Sequence, residues 1–267
     1  MYPFNYVKAR SLEEAGALLA ANPEAKVLAG GMTLIPTMKT RLARPSHLID
    51  IAGLAELAGI EERGNRLVMG AAVKYREIAA SAVVKKAIPA LAQLASVIGD
   101  PQVRNLGTIG GSVANNDPAA DCPAAVLALG ATVVTTRREI AAEDFFQGMF
   151  ATALDPAEIV ERLSFPIPKR AAYAKFPHPA SGYAMAGVFI AETAAGVRVA
   201  VTGAAPGVFR WHEAEAALAE NLSASALDAL SVAAEDLNED LHAPREYRAN
   251  LVKVMAQRAL DALQSAK

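Results

Sequence analysis

A mixed helix-and-strand chain of more than one compact unit is what this sequence predicts, from three observations. Short apolar runs enter glycine turns as buried strands do, capped amphipathic stretches alternate with them, and a proline-rich basic junction interrupts the pattern late in the chain. With 267 residues, 53% of them hydrophobic, there is enough apolar surface for a sizeable core in one to three units.

The elements follow in order. Ser11 and Glu14 stand at capping-box spacing, and Leu12, Ala15, Leu18 and Leu19 share one helical face behind them. Lys26-Val27-Leu28-Ala29 is a short strand that enters Gly30-Gly31-Met32-Thr33, and Leu34-Ile35-Pro36 leaves that turn. His47 to Ile51 is a second strand, and the polar turn at Gly64-Asn65 joins a hairpin from Ile60 to Met69. Pro89 opens a helix with Leu91, Leu94, Val97 and Ile98 on one face, and Gly99 stops it, with Gly107-Thr108-Ile109-Gly110-Gly111-Ser112 following almost directly. Pro123 starts a helix that Gly130 ends, Ala131 to Thr135 and Glu158 to Phe165 are strands, and Pro166 to Arg170 is the main boundary. Beyond it, strands at Ala184–Ala191 and Val197–Thr202 precede helices over much of Glu213–Glu220, Ala224–Asp236 and Glu246–Leu263.

Composition excludes several function classes. A net charge of -2 gives no basic footprint for nucleic acid. No apolar run reaches transmembrane length and the start lacks the pattern of a signal peptide, so the expected location is cytoplasmic. The single cysteine, Cys122, forms no internal disulfide and holds no metal cluster alone, and the four histidines show no metal spacing. Nothing resembles a catalytic triad or a paired-carboxylate site, so no catalytic or metal residue is assigned.

The two glycine segments carry the functional signal. A glycine pair allows positive φ and close approach of the main chain to a ligand, and successive N–H groups there form an anion-binding concavity. Thr33, Thr108 and Ser112 add hydroxyls. Neither the Rossmann G-x-G-x-x-G nor the P-loop Gly-Lys-Ser/Thr ending occurs. Four other residues have plainer alternatives. Asp121 either caps the helix at Pro123 or touches a cofactor, and Lys175 alone reads as a solvated lysine. Cys122 reads as a small buried apolar side chain, and Tyr183 as a stacking or a core residue.

In sequence, Phe4-x-Tyr6, Ala29-Gly30-Gly31 with Leu34-Ile35-Pro36, and Leu48-Ile49-Asp50-Ile51 come first. Then come Arg104-Asn105-x-Gly107-Thr108-Ile109-Gly110-Gly111-Ser112, Asp117-Pro118-Ala119-Ala120-Asp121, Asp144-Phe145-Phe146, Glu246-Tyr247-Arg248 and Arg258-Ala259-Leu260. This order resembles the FAD-binding medium subunit of the molybdenum hydroxylases, the family of carbon monoxide dehydrogenase and xanthine dehydrogenase, over nearly the whole chain. The resemblance implies an α+β fold: an N-terminal α/β unit (1–55) and a middle α+β unit (56–168) that hold FAD between them, then a C-terminal unit (169–267) with an antiparallel sheet and helices. It implies that FAD is bound by Leu28, Ala29, Gly30, Gly31, Met32, Thr33, Leu34 and Ile35 of the first segment. Thr108, Ile109, Gly110, Gly111, Ser112 and Asn115 of the second join them, with Asp121, Val160 and Lys175. Both segments would close on the diphosphate, Asp121 would reach the ribityl or ring region, and Lys175 would approach the flavin from the C-terminal unit. Met32 and Gly182 depart from the polar and acidic residues common at those places. The implied role is electron transfer beside a large molybdenum-cofactor subunit and a small [2Fe-2S] subunit, with NAD, oxygen or quinone as acceptor. A self-contained flavin oxidase or dehydrogenase, and a cofactor-free assembly protein with this fold, are the alternatives.

Overall fold

A computed structural model describes residues 1–265. The first unit contains β1 (Asn5–Lys8), α1 (Leu12–Ala21), β2 (Lys26–Leu28), α2 (Leu34–Lys39) and β3 (His47–Asp50). Ser11 caps α1, its hydroxyl accepting the Glu14 N–H at 3.1 Å, while the Glu14 carboxylate takes the Arg10 N–H at 2.7 Å. The three strands form a parallel sheet in the order β1-β3-β2, so β2 ends at the edge of this sheet with the first glycine turn directly after it.

The second unit is built on a five-stranded antiparallel sheet, order β4-β5-β10-β6-β7. Its elements are β4 (Ile60–Arg63), β5 (Arg66–Gly70), α3 (Tyr75–Ala80), α4 (Ala82–Ala87), α5 (Pro89–Ser96), α6 (Pro101–Leu106), α7 (Ile109–Asn115), α8 (Cys122–Ala128), β6 (Thr132–Thr135), β7 (Glu139–Ala141), α9 (Ala142–Phe145), β8 (Phe146–Gly148), β9 (Ala151–Thr152) and β10 (Val160–Pro166). Two expectations change here. Val97 is the C-cap of α5 and is exposed, so Ile98 alone continues the buried face. The stretch between Gly99 and Gly107 is a helix, α6, capped by the Asp100 carboxylate on the Val103 N–H with Pro101 in its first turn.

The third unit is a four-stranded antiparallel sheet of β11 (Arg170–Pro177), β12 (Ala184–Thr193), β13 (Gly196–Thr202) and β14 (Phe209–Arg210), followed by α10 (His212–Glu220) and α11 (Arg245–Ser265). Both faces of this sheet are covered, which explains the unbroken apolar run of β12. Val188 and Ile190 join a core with α10 and α11, whereas Phe189 and Ala191 on the opposite face join the core of the first two units. Arg248 of α11 is buried and ties helix to sheet, its guanidinium donating to the Met185 and Gly203 carbonyls and pairing with Asp240 at 2.6 Å. The expected helix at Ala224–Asp236 is absent. Two single 3-10 turns, Ala224–Leu227 and Ala234–Asp236, stand there instead, and they bring Leu227 and Leu237 into the core. Ser223, Ser225 and Asp228 compete locally for backbone groups and favour such turns over a helix. Among the described residues no helix is long and apolar enough to cross a membrane, and no group of side chains has a metal-binding arrangement.

Candidate functional site

The first glycine segment forms as β2 leaves its sheet. Gly31 takes φ +69°, where a side chain is strained, and Gly30 lies flat against the second segment: a Cβ there would sit 2.2 Å from the Leu106 carbonyl oxygen and 2.8 Å from the Gly107 Cα. The two segments are therefore packed backbone to backbone. Gly30, Gly31, Met32, Thr33 and Leu34 are all half-buried, and among the described residues none of their N–H groups meets a protein acceptor; only Ile35 is served, by the Gly31 carbonyl at 3.0 Å. Five successive half-buried donors without acceptors are costly unless something outside the chain pairs with them. A phosphate fits that need, since its oxygens accept several N–H groups at once. Leu28 and Ala29 lead into this run. Met32 enters this run through its amide, a group that any residue other than proline would supply there.

The second segment differs from expectation. It is the first turn of a helix, not a loop, and neither Gly110 nor Gly111 has positive φ. Thr108 caps α7 by accepting the Gly111 N–H at 3.1 Å, and the Ile109, Gly110 and Ser112 N–H groups donate to Val73, Ala71 and Thr108 carbonyls. The run of bare amides thus belongs to the first segment; among the described residues the second leaves only the Thr108 N–H without a protein acceptor. Glycine is required in the second by crowding: a Cβ on Gly110 would lie 2.4 Å from the Ala71 Cβ, and one on Gly111 would lie 2.8 Å from the Thr108 hydroxyl. Ala71 in turn donates to the Glu161 carbonyl at 2.9 Å, so β10, which opens at the buried Val160, sets the height of α7. Asn115 is half-buried at the end of this helix. Asn116, which sequence reasoning passed over, is buried at φ +44°, and its side-chain amide donates to the Gly148 and Ala151 carbonyls at 2.7 Å each.

Asp121 precedes α8 but makes no capping bond; its carboxylate is turned toward the third unit instead. It accepts the Tyr173 phenol at 2.5 Å and pairs with the Lys175 ammonium at 3.0 Å. Lys175 is not a solvated lysine: its side chain is 6% exposed, and its ammonium also donates to the Gly182 carbonyl at 2.9 Å. Burial raises the Asp121 pKa, opposed by Lys175 and by the Tyr173 hydroxyl. Next to it, burial together with the Asp121 charge pushes the Cys122 thiol up to about 12, which makes it inert as a nucleophile. The Ser112 hydroxyl lies beside both Cys122 and the buried Tyr75 and works against the upward shift of each, which places α7 against this cluster. Tyr183 is 43% exposed and so is not a core residue; burial of its phenol and the Asp117 charge raise its pKa, while the Thr33 hydroxyl lowers it. Sequence reasoning missed Tyr173 and Tyr75. The signal for Tyr173 was its place two residues before Lys175 on one strand, which puts both on one face.

Comparison with known proteins decides the family. A model described as the FAD binding domain in molybdopterin dehydrogenase matches residues 2–168, and one described as the CO dehydrogenase flavoprotein C-terminal domain matches 171–263. The chain belongs to the FAD-binding medium-subunit family of the molybdenum hydroxylases. Within that family it is 35% identical to the carbon monoxide dehydrogenase medium chain of Afipia carboxidovorans, covering 97% of this chain and 96% of that one. It is 34% identical to the glyceraldehyde dehydrogenase medium chain of Sulfolobus acidocaldarius, covering 97% and 98%. The solved carbon monoxide dehydrogenase from Hydrogenophaga pseudoflava that lacks the Mo-pyranopterin moiety superposes with a TM-score of 0.90 at 36% identity, covering 99% of each chain. FAD is the cofactor of this medium-subunit family, and the unpaired amides of Gly30 to Leu34 suit its diphosphate. Relatives named for carbon monoxide and for glyceraldehyde match almost equally well, so the medium-subunit sequence does not carry the substrate.

Proposed function

We propose that this chain is the electron-transfer flavoprotein subunit of a molybdenum hydroxylase complex. A large molybdenum-cofactor subunit would oxidise the substrate, a small [2Fe-2S] subunit would deliver the electrons, and NAD, oxygen or quinone would take them from this chain. The observation that carries the proposal is the run of five acceptorless amides, Gly30 to Leu34, packed against the second glycine segment, together with the buried Asp121–Lys175 pair. When bound, FAD supplies one- and two-electron redox chemistry, which suits a relay between clusters and a two-electron acceptor.

This chain's residues bind and orient. The first segment would grip the diphosphate through main-chain N–H groups, with the Thr33, Thr108 and Ser112 hydroxyls beside it. Gly110, Gly111 and Ile109 would hold the second segment close enough for the two to form one cleft, and Asp121 with Lys175 would meet the ring end. With units at 1–55, 56–168 and 169–267, this cleft would lie at the first boundary and Lys175 across the second. No residue needs to act as acid or base.

Two measurements test the proposal. The chain purified alone with FAD should release one equivalent of flavin on acid treatment, and a colourless folded chain that refuses FAD would refute it. Native co-purification should recover molybdenum and iron–sulfur chains. Reduction of the flavin by a small substrate without those chains would establish the self-contained oxidase or dehydrogenase instead.

A further inference from the structure

Strand β11 alternates its side chains between two cores. Ala172, Ala174 and Phe176 pack with the helices of the third unit, whereas Tyr173 joins the core of the first two units and Lys175, two residues on, reaches Asp121. The Tyr173 phenol is 2% exposed and donates to one Asp121 oxygen at 2.5 Å, while the Lys175 ammonium lies 3.0 Å and 3.2 Å from the two carboxylate oxygens. Space for the phenol comes from Gly187 on β12, the register partner of Lys175: a Cβ there would stand 2.5 Å from the Tyr173 hydroxyl oxygen. The carboxylate is therefore held from two sides, and Lys175 is held by that carboxylate and the Gly182 carbonyl. An ammonium has three N–H donors, so at most one remains for a ligand.

We propose that Tyr173 is a positioning residue of the flavin site: its phenol fixes the Asp121 carboxylate, and through it the Lys175 ammonium, in the one orientation that presents the remaining N–H. The proposal rests on the flavin-site assignment above. Its consequence is electrostatic as well as geometric. The phenol favours the ionised carboxylate, so the site stays a neutral ion pair; without the phenol, Asp121 takes up a proton at higher pH and the site gains net positive charge. The other titratable groups about Asp121 are Cys122, Tyr75, Tyr173 and Tyr183, with Asp117 near Tyr183. The thiol and the three phenols are all shifted upward and stay neutral, which leaves Asp121, its own pKa raised by burial, as the group touching Tyr173 and Lys175 that can lose its charge on acidification.

The experiment begins with the flavin-free chain. Titration of the Asp121 carboxyl, followed by its carbon NMR shift, should move upward by about one to two pH units in Tyr173→Phe, the usual effect of deleting a hydrogen bond to a charged group. In the FAD-loaded chain, the inflection in the pH profile of the flavin midpoint potential should move upward by the same amount. In an Asp121→Asn background, Tyr173→Phe should leave the potential unchanged. An unmoved Asp121 titration overturns the proposal, and so does an equal change of potential in the Asp121→Asn background, which would mark Tyr173 as packing only. If Tyr173→Phe does not fold, Gly187→Ala displaces the phenol without deleting it and is held to the same titration criterion. A shifted titration in a chain that takes up no FAD overturns the flavin assignment while leaving the Tyr173–Asp121 link in place, so the two failures are distinguishable.

Discussion

Gly30→Ala isolates the contact that brings the two glycine segments together. The added Cβ would meet the Leu106 carbonyl oxygen at 2.2 Å, where ordinary contact begins at 3.4 Å, and the obstacle is backbone that no rotamer change can relieve. The segments must part by about 1.2 Å, a crowding that costs folding about 1–3 kcal/mol. The larger effect falls on the diphosphate grip. Hydrogen bonds to an anion run at about 2.7–2.9 Å, and an added ångström breaks them. Each is worth about 1.5–3 kcal/mol, so losing two raises the FAD dissociation constant by roughly 10²- to 10⁴-fold. Titration of the flavin-free variant with FAD, by calorimetry or flavin fluorescence quenching, reads this directly. Gly16→Ala is the control: it lies in α1 with nothing within 4 Å of the new Cβ, so it should gain about 0.5–1 kcal/mol of stability and leave FAD affinity unchanged. A folded Gly30→Ala chain with wild-type affinity would refute the cleft.

Three further outcomes are expected. Lys175→Met should lower the flavin midpoint potential more at pH 9 than at pH 6, because the partnerless Asp121, its pKa already raised by burial, takes up a proton in acid and leaves no uncompensated charge; equal shifts at both pH values would contradict this. Burial works to raise the Glu158 pKa, but Arg138, Thr135 and the Asp155 N–H override it and hold the carboxyl near 2 rather than 4.5. Its stabilisation is therefore complete above the unfolded value and is lost as pH falls from about 5 toward 2; discounted for the half-exposed Arg138, it is about 2 kcal/mol, and Glu158→Gln should lower the melting temperature at pH 7 by about 4–8 °C while flattening the acid limb. Asn116→Ala removes both 2.7 Å bonds to the β8–β9 turn, and should cost about 2 kcal/mol and raise amide exchange in residues 146–152, seen by hydrogen-exchange mass spectrometry.

Local chemistry wrote much of this fold into the sequence. Ser11, Asp100, Pro89 and Pro123 start helices through their own side chains or fixed φ, and Gly130 ends one at φ +61°, all effects confined to a few residues. The stretch Ala224–Asp236 was misread because helix-favouring alanines there are outweighed by the gain from seating Leu227 and Leu237 in a distant core. The order of glycine motifs was also enough to name the family and its cofactor, since each motif is a short contiguous string.

What the sequence by itself determined was which residues crowd together along the chain; how they divide the work was decided only by the tertiary structure. Both glycine pairs read alike as strings, yet one holds unpaired amides and the other spends its amides on Val73, Ala71 and Thr108, because hydrogen-bond partners come from elements far apart in sequence. Asp121 read equally well as a cap or a contact. The choice fell to Tyr173 and Lys175, more than fifty residues away, because a buried carboxylate turns toward whichever donors the packed sheet brings to it.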